Sequence, residues 1–275
     1  MTTTDPTGTN TRTAARVPGT VRAAWLVVEG RWIWYRRNWR SSVFSTVLQP
    51  VLFLVALGLG LGSQVRPGAA TDGLPYLQYL APALLASSAL QTGSGESTYP
   101  ILSAFKWQRT YHGITATPIS ATQVLAGQLL WIALRVGFSA AAFLVIAAPL
   151  GALPGPGVLL SLVFAVLTAM AFVAPMVAYS ATIETEVQQF SVVMRFIVMP
   201  MTIFAGTFFP VAQLPVWVHP LVWLTPLWHG TELCRDAAIG ALELLPALGH
   251  LAYLVALVAA GVHLGRRTFV RRLEI

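Results

Sequence analysis

Long stretches without a charged side chain constrain the fold of this chain more than any other feature of its sequence. The longest covers 48 residues, from 136 to 183. A helix needs about 20 apolar residues to cross the hydrocarbon core of a membrane, so this stretch can hold the end of one spanning helix, a turn and a second helix. We therefore predict an all-α integral membrane protein. The other stretches without Asp, Glu, Lys or Arg are 41–65, 73–95, 110–134, 196–231 and 244–265.

Six membrane-spanning helices fit into these stretches. Composition supports this number, because 56% of the residues are hydrophobic and only 10% are charged, whereas a soluble domain carries about 25% charged residues. The single cysteine, Cys234, excludes an intrachain disulfide and a cysteine-rich metal site. The predicted spans are 43–62, 75–95, 121–148, 158–180, 191–211 and 244–264.

The basic residues predict how these spans are oriented. Sixteen of the seventeen are Arg, and they cluster at the ends of spans rather than in a patch that would bind nucleic acid. Thirteen lie before the first span, between the second and third, or after the last, against two on the opposite side. Basic residues accumulate on the cytoplasmic side. We therefore predict a multi-pass plasma-membrane protein with both termini in the cytoplasm and a basic tail, 266–275, that can bind membrane lipids.

The N-terminal region divides into two parts. Residues 1–19 are polar and lack an apolar core, which predicts a disordered cytoplasmic tail and not a signal peptide. Residues 20–40 carry an aromatic and a charged stripe side by side, which is typical of an amphipathic helix at a membrane interface. Such a helix can act as an anchor, as a docking element, or as both. The stripes consist of Trp25, Val28, Trp32, Tyr35 and Trp39, and of Arg22, Glu29, Arg36 and Arg40.

A polar island at residues 103–128 separates the second and third predicted spans. Helical periodicity places Lys106, Arg109 and Gly113 on one face of a short amphipathic cytoplasmic helix. The alternative is an ordinary basic loop that obeys the positive-inside rule. Aromatic side chains alternate with the basic ones in this stretch, in the order Phe105, Lys106, Trp107, Arg109, Tyr111 and His112.

The C-terminal end of the polar island contains residues that end one helix and begin the next. Thr117 precedes Pro118 and is therefore disfavoured in the helical conformation. Ser120 can cap a new helix. We predict that the third span begins at about Ala121.

Two motifs resemble a known family of membrane proteins. Trp107, Arg109, Gly113-Ile114 and the Thr-Pro-Ile-Ser run at 117–120 resemble the segment between spans two and three of type-2 ABC exporter permeases. The similarity is to the branch with the daunorubicin-resistance and Nod-factor lipo-oligosaccharide exporters. The second motif agrees with it and consists of Phe-Ala-Gly-Thr-Phe-Phe-Pro at 204–210, Leu214-Pro215, Pro220-Leu221 and Thr225-Pro226.

This resemblance, which covers about residues 20–270, implies a permease domain at 41–265. It also implies that the first motif is a coupling helix seated in a cleft of a separate ABC ATPase subunit, which binds ATP and Mg. The second motif would be a re-entrant extracellular helical hairpin before the last span. The coupling residues carried over are Phe105, Lys106, Trp107, Arg109, Tyr111 and His112.

The segment from 208 to 243 agrees with a re-entrant hairpin on its own composition. Four prolines and three tryptophans interrupt any continuous helix, yet the segment is too apolar for a solvated loop. His219 and His229 lack a third ligand, so we predict no zinc site. Glu232, Arg235 and Asp236 are expected to form a charged rim outside the membrane.

Charged residues near or within the spans are candidates for a substrate path. Arg135 lies about 21 Å from the start of its helix. It either contacts an anionic head group or, as we prefer, forms a buried pair with Glu96 or Glu184. For Glu96 we favour solvation at the interface over burial against a cation. For Glu184 we favour a pair with Arg195 over contact with basic residues of a partner subunit. The path candidates are Arg135, Glu96, Phe208 and Phe209.

No energy source is evident within the chain. Its one lysine, Lys106, follows Ser-Ala-Phe and does not fit a phosphate-binding loop. We predict no catalytic residue, no metal and no cofactor in this chain. Six spans without a nucleotide-binding site of their own suggest a permease subunit that is driven by another protein. Its substrate would be amphipathic, a hydrophobic drug or a lipid-linked glycan. A second bundle, identical or from a sister permease, would complete the path.

Two alternatives belong to other classes. A proton-coupled drug carrier would need Glu96, Arg135 or Glu184 as its coupling groups. A membrane-embedded enzyme acting on lipids would need a cluster of catalytic groups. The candidates for such a cluster are scattered along the sequence, and they are His112, His219, His229 and Glu96.

Overall fold

The computed structural model describes residues 19–60, 62, 68, 71, 73–184 and 188–274, so the predicted tail 1–19 lies outside the described residues except for its last position. Every regular element of the described part is helical. π-Helical turns follow α1 at Leu54–Gly60 and α7 at Met194–Val198. The α-helices are α1 Thr20–Phe53, α2 Tyr76–Glu96, α3 Tyr99–Lys106, α4 Thr110–Thr115, α5 Ala121–Ala147, α6 Val158–Ser180, α7 Gln188–Val193, α8 Met199–Phe204, α9 His219–Trp223, α10 Pro226–Ile239 and α11 Leu244–Leu273.

Three helices in the described part are long and apolar enough to cross a membrane, namely Ala121–Leu150, Val158–Ser180 and Leu244–Leu273. The first two match the third and fourth predicted spans. The last begins where the sixth predicted span begins, but it continues to Leu273 and so includes most of the predicted basic tail. Helix α2 overlaps the second predicted span, whereas the first and fifth fall on helices that π-helical turns interrupt. An all-helical membrane protein is therefore confirmed, and the number of six spans stays a prediction.

Helix α1 passes through residue 40 without a break, so no structural boundary marks the predicted change from interfacial helix to span. A small-residue face of α1 packs on α5, where a Cβ at Gly127 would lie 2.6 Å from the Cβ of Val27. This packing divides the predicted aromatic stripe. Tyr35 is buried against Trp131 of α5, whereas Trp25 and Trp32 are exposed. The side chains of Trp39 and Arg40 lie outside the described residues.

Helix α6 is the centre of the bundle, and glycines on three neighbouring helices let the backbones approach it. A Cβ at Gly93 of α2 would lie 2.6 Å from Val173, and one at Gly230 of α10 would lie 2.1 Å from the hydroxyl of Thr168. A Cβ at Gly261 of α11 would lie 2.3 Å from the backbone nitrogen of Pro175. Small residues at contacts of this kind are typical of helix packing in membranes.

Short helices occupy the segment between α8 and α10. They comprise single turns at Val211–Gln213 and Val216–Val218 and the helix α9. Trp217 is 76% exposed and Leu221 is 64% exposed. The interrupted helices agree with the sequence-based expectation, and their insertion into the outer leaflet as a re-entrant hairpin stays a prediction.

The prediction of a charged rim outside the membrane is wrong for Arg235, which is 5% exposed. Its guanidinium donates to the carbonyl oxygen of Gly206 at 2.8 Å and pairs with Glu232 at 3.2 Å. It also lies 4.1 Å from the ring centre of Tyr79. Because α10 packs on α2 and α6, Arg235 points into the bundle and ties α10 to its neighbours.

Candidate functional site

The segment between α2 and α5, which is predicted to be cytoplasmic, contains two short helices. The prediction of one helix with Lys106, Arg109 and Gly113 on a shared face is wrong, because α3 ends at Lys106 and α4 begins at Thr110. Arg109 lies between them with a left-handed backbone, φ 50°, a conformation that cannot continue a right-handed helix.

The start of α5 is as predicted. The hydroxyl of Ser120 accepts a hydrogen bond from the backbone N–H of Gln123 at 3.3 Å. The side chain of Gln123 accepts one from the backbone N–H of Ser120 at 2.9 Å. This reciprocal capping box fixes the first turn of α5 at Ala121.

The six predicted coupling residues divide into an exposed set and a buried set. The exposed side chains are Lys106, Trp107, Arg109 and His112, and Trp107 is 57% exposed. Phe105 and Tyr111 are at most 2% exposed. These two aromatic residues cannot touch a partner directly, so they support the exposed set from below.

The buried set packs against the last helix of the bundle. Ring centres of Phe105 and Tyr111 are 4.7 Å apart, and Phe269 of α11 lies 4.9 Å and 5.6 Å from them. Nothing in the sequence marked Phe269, because its contact partners are distant along the chain.

Arginines from the first and last helices complete this contact. Arg31 of α1 donates to the hydroxyl of Tyr111 at 3.2 Å. Arg272 of α11 lies 4.4 Å from the ring centre of Phe105. Burial raises the pKa of Tyr111 to about 12, although Arg31 opposes this rise. The phenol therefore keeps its proton near neutral pH.

A cavity of about 770 Å³ opens between α1, α2, α5 and the helices from α7 to α8. Its wall combines polar and apolar side chains. Polar side chains come from Ser87, Ser88, Gln91, Thr92 and Thr202. Apolar side chains come mainly from Phe53, Leu84, Val198, Ile203 and Phe208.

Glu96 and Arg135 supply the charges in the cavity wall. They form a direct ion pair, and their side chains are 19% and 14% exposed. The guanidinium also lies 4.6 Å from the ring centre of Tyr35. The preferred buried pair of Arg135 is confirmed, and of the two candidate partners the structure shows Glu96 and not Glu184. The preferred solvation of Glu96 at the interface is wrong.

Two further expectations about charge and aromatic lining have different outcomes. Within the described residues no ion pair joins Glu184 to Arg195, and both side chains are exposed. Phe208 lines the cavity, and its carbonyl oxygen accepts from the hydroxyl of Tyr76 at 3.1 Å. Phe209 is half-buried and is not part of the cavity wall among the described residues.

Histidines meet near the short helices, in a pairing that the sequence did not suggest. The Nδ1 atoms of His229 and His250 are 2.7 Å apart, and the ring of His229 stacks on Tyr253 at 4.1 Å. This arrangement ties α10 to α11. In the part of the chain that the structure describes, no group of three or more His, Cys, Asp or Glu is placed to hold a metal ion.

Comparisons with known proteins identify the family of this chain. The family described as "ABC-2 type transporter" matches residues 22–239. Nodulation protein J of Sinorhizobium fredii (strain NBRC 101917 / NGR234) is 29% identical over 79% of this chain and 86% of its own length. Nodulation protein J of Rhizobium meliloti (strain 1021) is 27% identical over 76% and 82%. No solved structure gives a significant match.

The family match covers the first helix, the segment between α2 and α5, the cavity and the short helices before α11. The family match extends over well more than half of the chain. The alignments with the two relatives cover most of the length of each relative. The chain therefore belongs to the ABC-2 type transporter family and is a transmembrane subunit of an ABC exporter, working with an ABC ATPase.

Proposed function

We propose that this chain moves an amphipathic substrate, a hydrophobic drug or a lipid-linked glycan, out of the cell. The mixed lining of the cavity carries the proposal. Hydroxyl and amide groups from α2 can bind the polar part of a guest, while Phe53 and Phe208 contact its apolar part. Glycan-bearing substrates suit the row of hydroxyl groups because each sugar offers several donors and acceptors.

The ATPase docks on the exposed tip of the cytoplasmic segment in this proposal. Trp107 and Arg109 stand at the turn between α3 and α4, next to Lys106 and His112. Aromatic and Arg side chains are enriched where proteins bind each other. ATP and Mg belong to the ATPase, since the only lysine of this chain follows Ser-Ala-Phe and not a glycine-rich loop.

A second bundle closes the open side of the cavity. Met199 is 62% exposed and Ile203 is 40% exposed, and both stand in its wall. Apolar side chains beside a partly polar cavity suit contact with another protein bundle. The second bundle is a copy of this chain or a sister permease, and six spans with both termini in the cytoplasm complete the proposed topology.

Transport by the purified complex tests the proposal. The chain would be co-expressed with its ATPase, reconstituted in liposomes, and given ATP with a fluorescent lipo-oligosaccharide or with daunorubicin. We expect ATP-dependent transport away from the side that carries the ATPase. Transport that persists without ATP, or a purified chain that recovers no ATPase, would contradict the proposal.

A proton-coupled carrier is the second candidate, because Glu96 is a carboxylate inside the cavity. Its pairing with Arg135 argues against this candidate, since the carboxylate already has a cation as its partner inside the cavity. Exposed Glu184 gives a clean comparison. Glu184→Gln should leave ATP-driven transport unchanged, whereas a carrier that uses Glu184 as its coupling group would lose transport.

A further inference from the structure

The cytoplasmic segment is joined to its two neighbouring helices by non-helical links. Thr98, between α2 and α3, has φ −105° and ψ −105°. The link to α5 passes through Pro118 and ends at Ser120, which has an extended backbone with φ −76° and ψ 158°. Non-helical residues at the ends of elements can absorb changes in direction. The covalent links alone would therefore dissipate a push on the exposed tip.

Packing supplies a second connection, which we name the aromatic clamp. It consists of Phe105 and Tyr111 from the segment, Phe269 from α11, and the cations Arg31 and Arg272. The three rings are at most 2% exposed, and their centres lie 4.7 to 5.6 Å apart, the range of favourable aromatic pairs. Such a contact behaves as a solid core and transmits displacement.

The clamp reaches three helices besides its own segment. Arg31 brings in α1 through its hydrogen bond to Tyr111. Arg272 of α11 stacks on Phe105 and also donates to the carbonyl oxygens of Ala181 at 2.7 Å and Ile183 at 3.0 Å. Those two carbonyls lie one and three residues beyond the end of α6. Arg272 thus joins the segment to both α6 and α11.

We propose that Phe269 and Arg272, together with Arg31, are positioning residues that convert displacement of the docked segment into displacement of α11, α6 and α1. The proposal rests on the function proposed above, in which an ATPase pushes on the exposed tip. The cavity is lined from α1, α2 and α5 and from the α7–α8 region, so movement of α1 reaches its wall. A broken clamp leaves docking and hydrolysis in place and disconnects them from the cavity.

A cysteine reporter tests the clamp without knowledge of the substrate. Gln91 is exposed and lines the cavity, whereas the native Cys234 is fully buried. Gln91→Cys therefore places a thiol where a membrane-impermeant maleimide can reach it in an open state. The reconstituted complex with its ATPase is labelled with and without ATP and vanadate, and hydrolysis is measured on the same sample.

Phe269→Ala and Arg272→Ala are the test variants. We expect both to copurify with the ATPase and to hydrolyse ATP, while the nucleotide-dependent change in labelling falls about tenfold, within the range of coupling between sites. Arg271→Ala is the matched control, because Arg271 is exposed, carries the same charge and stands one position away. It should label as the parent does. Phe269→Leu, which fills the space without a ring, should give an intermediate change.

Two results would overturn the clamp. One is hydrolysis and labelling that fall together in proportion to the amount of assembled complex, because the residues would then only support the fold. The other is labelling unchanged in both test variants. A parent chain that recovers no ATPase would overturn the proposed function, and the clamp with it, and is recognised before any variant is made.

Discussion

Glu96 and Arg135 neutralise each other inside a cavity whose other lining residues, among those that the structure describes, are uncharged. Breaking a buried pair from one side leaves an uncompensated charge and is costly. We expect Glu96→Gln to destabilise the protein by about 3 kcal/mol, the lower end of the range for buried pairs, because both side chains keep some exposure. Thermal unfolding in detergent measures this change.

The double variant Glu96→Gln with Arg135→Met is the control for this prediction. It removes both charges, so it should recover much of the lost stability. A double variant less stable than Glu96→Gln alone would show that packing of Arg135 on Tyr35, and not charge, decides the effect.

The role of a residue was predictable where the chemistry of that residue alone requires a particular environment. Arg135 needs a partner in any fold that buries it, and sequence reasoning stated this correctly. The choice between Glu96 and Glu184 depends on which helix lies beside α5, which no local rule supplies. Phe269 and the burial of Arg235 escaped prediction for the same reason.

At the scale of the element, the capping box of α5 gives a local prediction. Ser120→Ala removes the acceptor for the first turn and should cost about 1 kcal/mol. Thr122→Ala is a suitable control, since this side chain contacts the Ser120 hydroxyl without capping the backbone. Equal losses for the two variants, measured by thermal unfolding, would contradict a capping role for Ser120.

Helix α11 offers a matched pair of glycines. Gly261→Ala would press a methyl group against the backbone of α6 at Pro175, whereas a Cβ at Gly249 meets nothing within 4 Å. We expect Gly261→Ala to lower the melting temperature strongly, because the two backbones must separate. Gly249→Ala should be neutral or stabilising. A similar melting temperature for both would show that α6 and α11 can adjust.

Helix boundaries set by capping and proline were predictable, as the start of α5 shows. The interruption at Arg109 was not, because helical periodicity continues smoothly across 103–113. The left-handed backbone there is favoured by tertiary packing, which turns Phe105 and Tyr111 towards Phe269 together. Helical periodicity alone cannot predict this packing requirement.

For the whole molecule, the open side of the cavity predicts contact between two bundles. In a homodimer, Met199→Cys should form a disulfide-linked dimer under mild oxidation, since Met199 is exposed at the cavity wall. Leu159→Cys is the control, because Leu159 is 73% exposed on α6, away from the cavity wall. Gel electrophoresis without reductant measures the product.

Cross-linking at Leu159 equal to that at Met199 would indicate random collision in the membrane. No product at Met199 would argue against pairing of identical chains through this face and would favour a sister permease.

Composition was enough to predict that the molecule is a membrane protein, because uncharged stretches of this length are typical of membrane-spanning helices. Assembly of the bundle did not follow. The central place of α6 depends on glycines from three helices that meet it, and each glycine looks alike in a sequence. Gly261 and Gly249 illustrate this, since the former contacts a backbone and the latter faces open space.

The π-helical turns at Leu54–Gly60 and Met194–Val198 both border the cavity, through Phe53 on one side and Met194 and Val198 on the other. A π turn holds one more residue than an α turn. Its conversion would therefore rotate the neighbouring side chains by about 100° about the helix axis. We expect such a rotation to replace the side chains that face the cavity with other side chains of the same helix, without bending the helix. Faster hydrogen exchange at these turns than in adjacent α-helix would support this, and equal protection would contradict it.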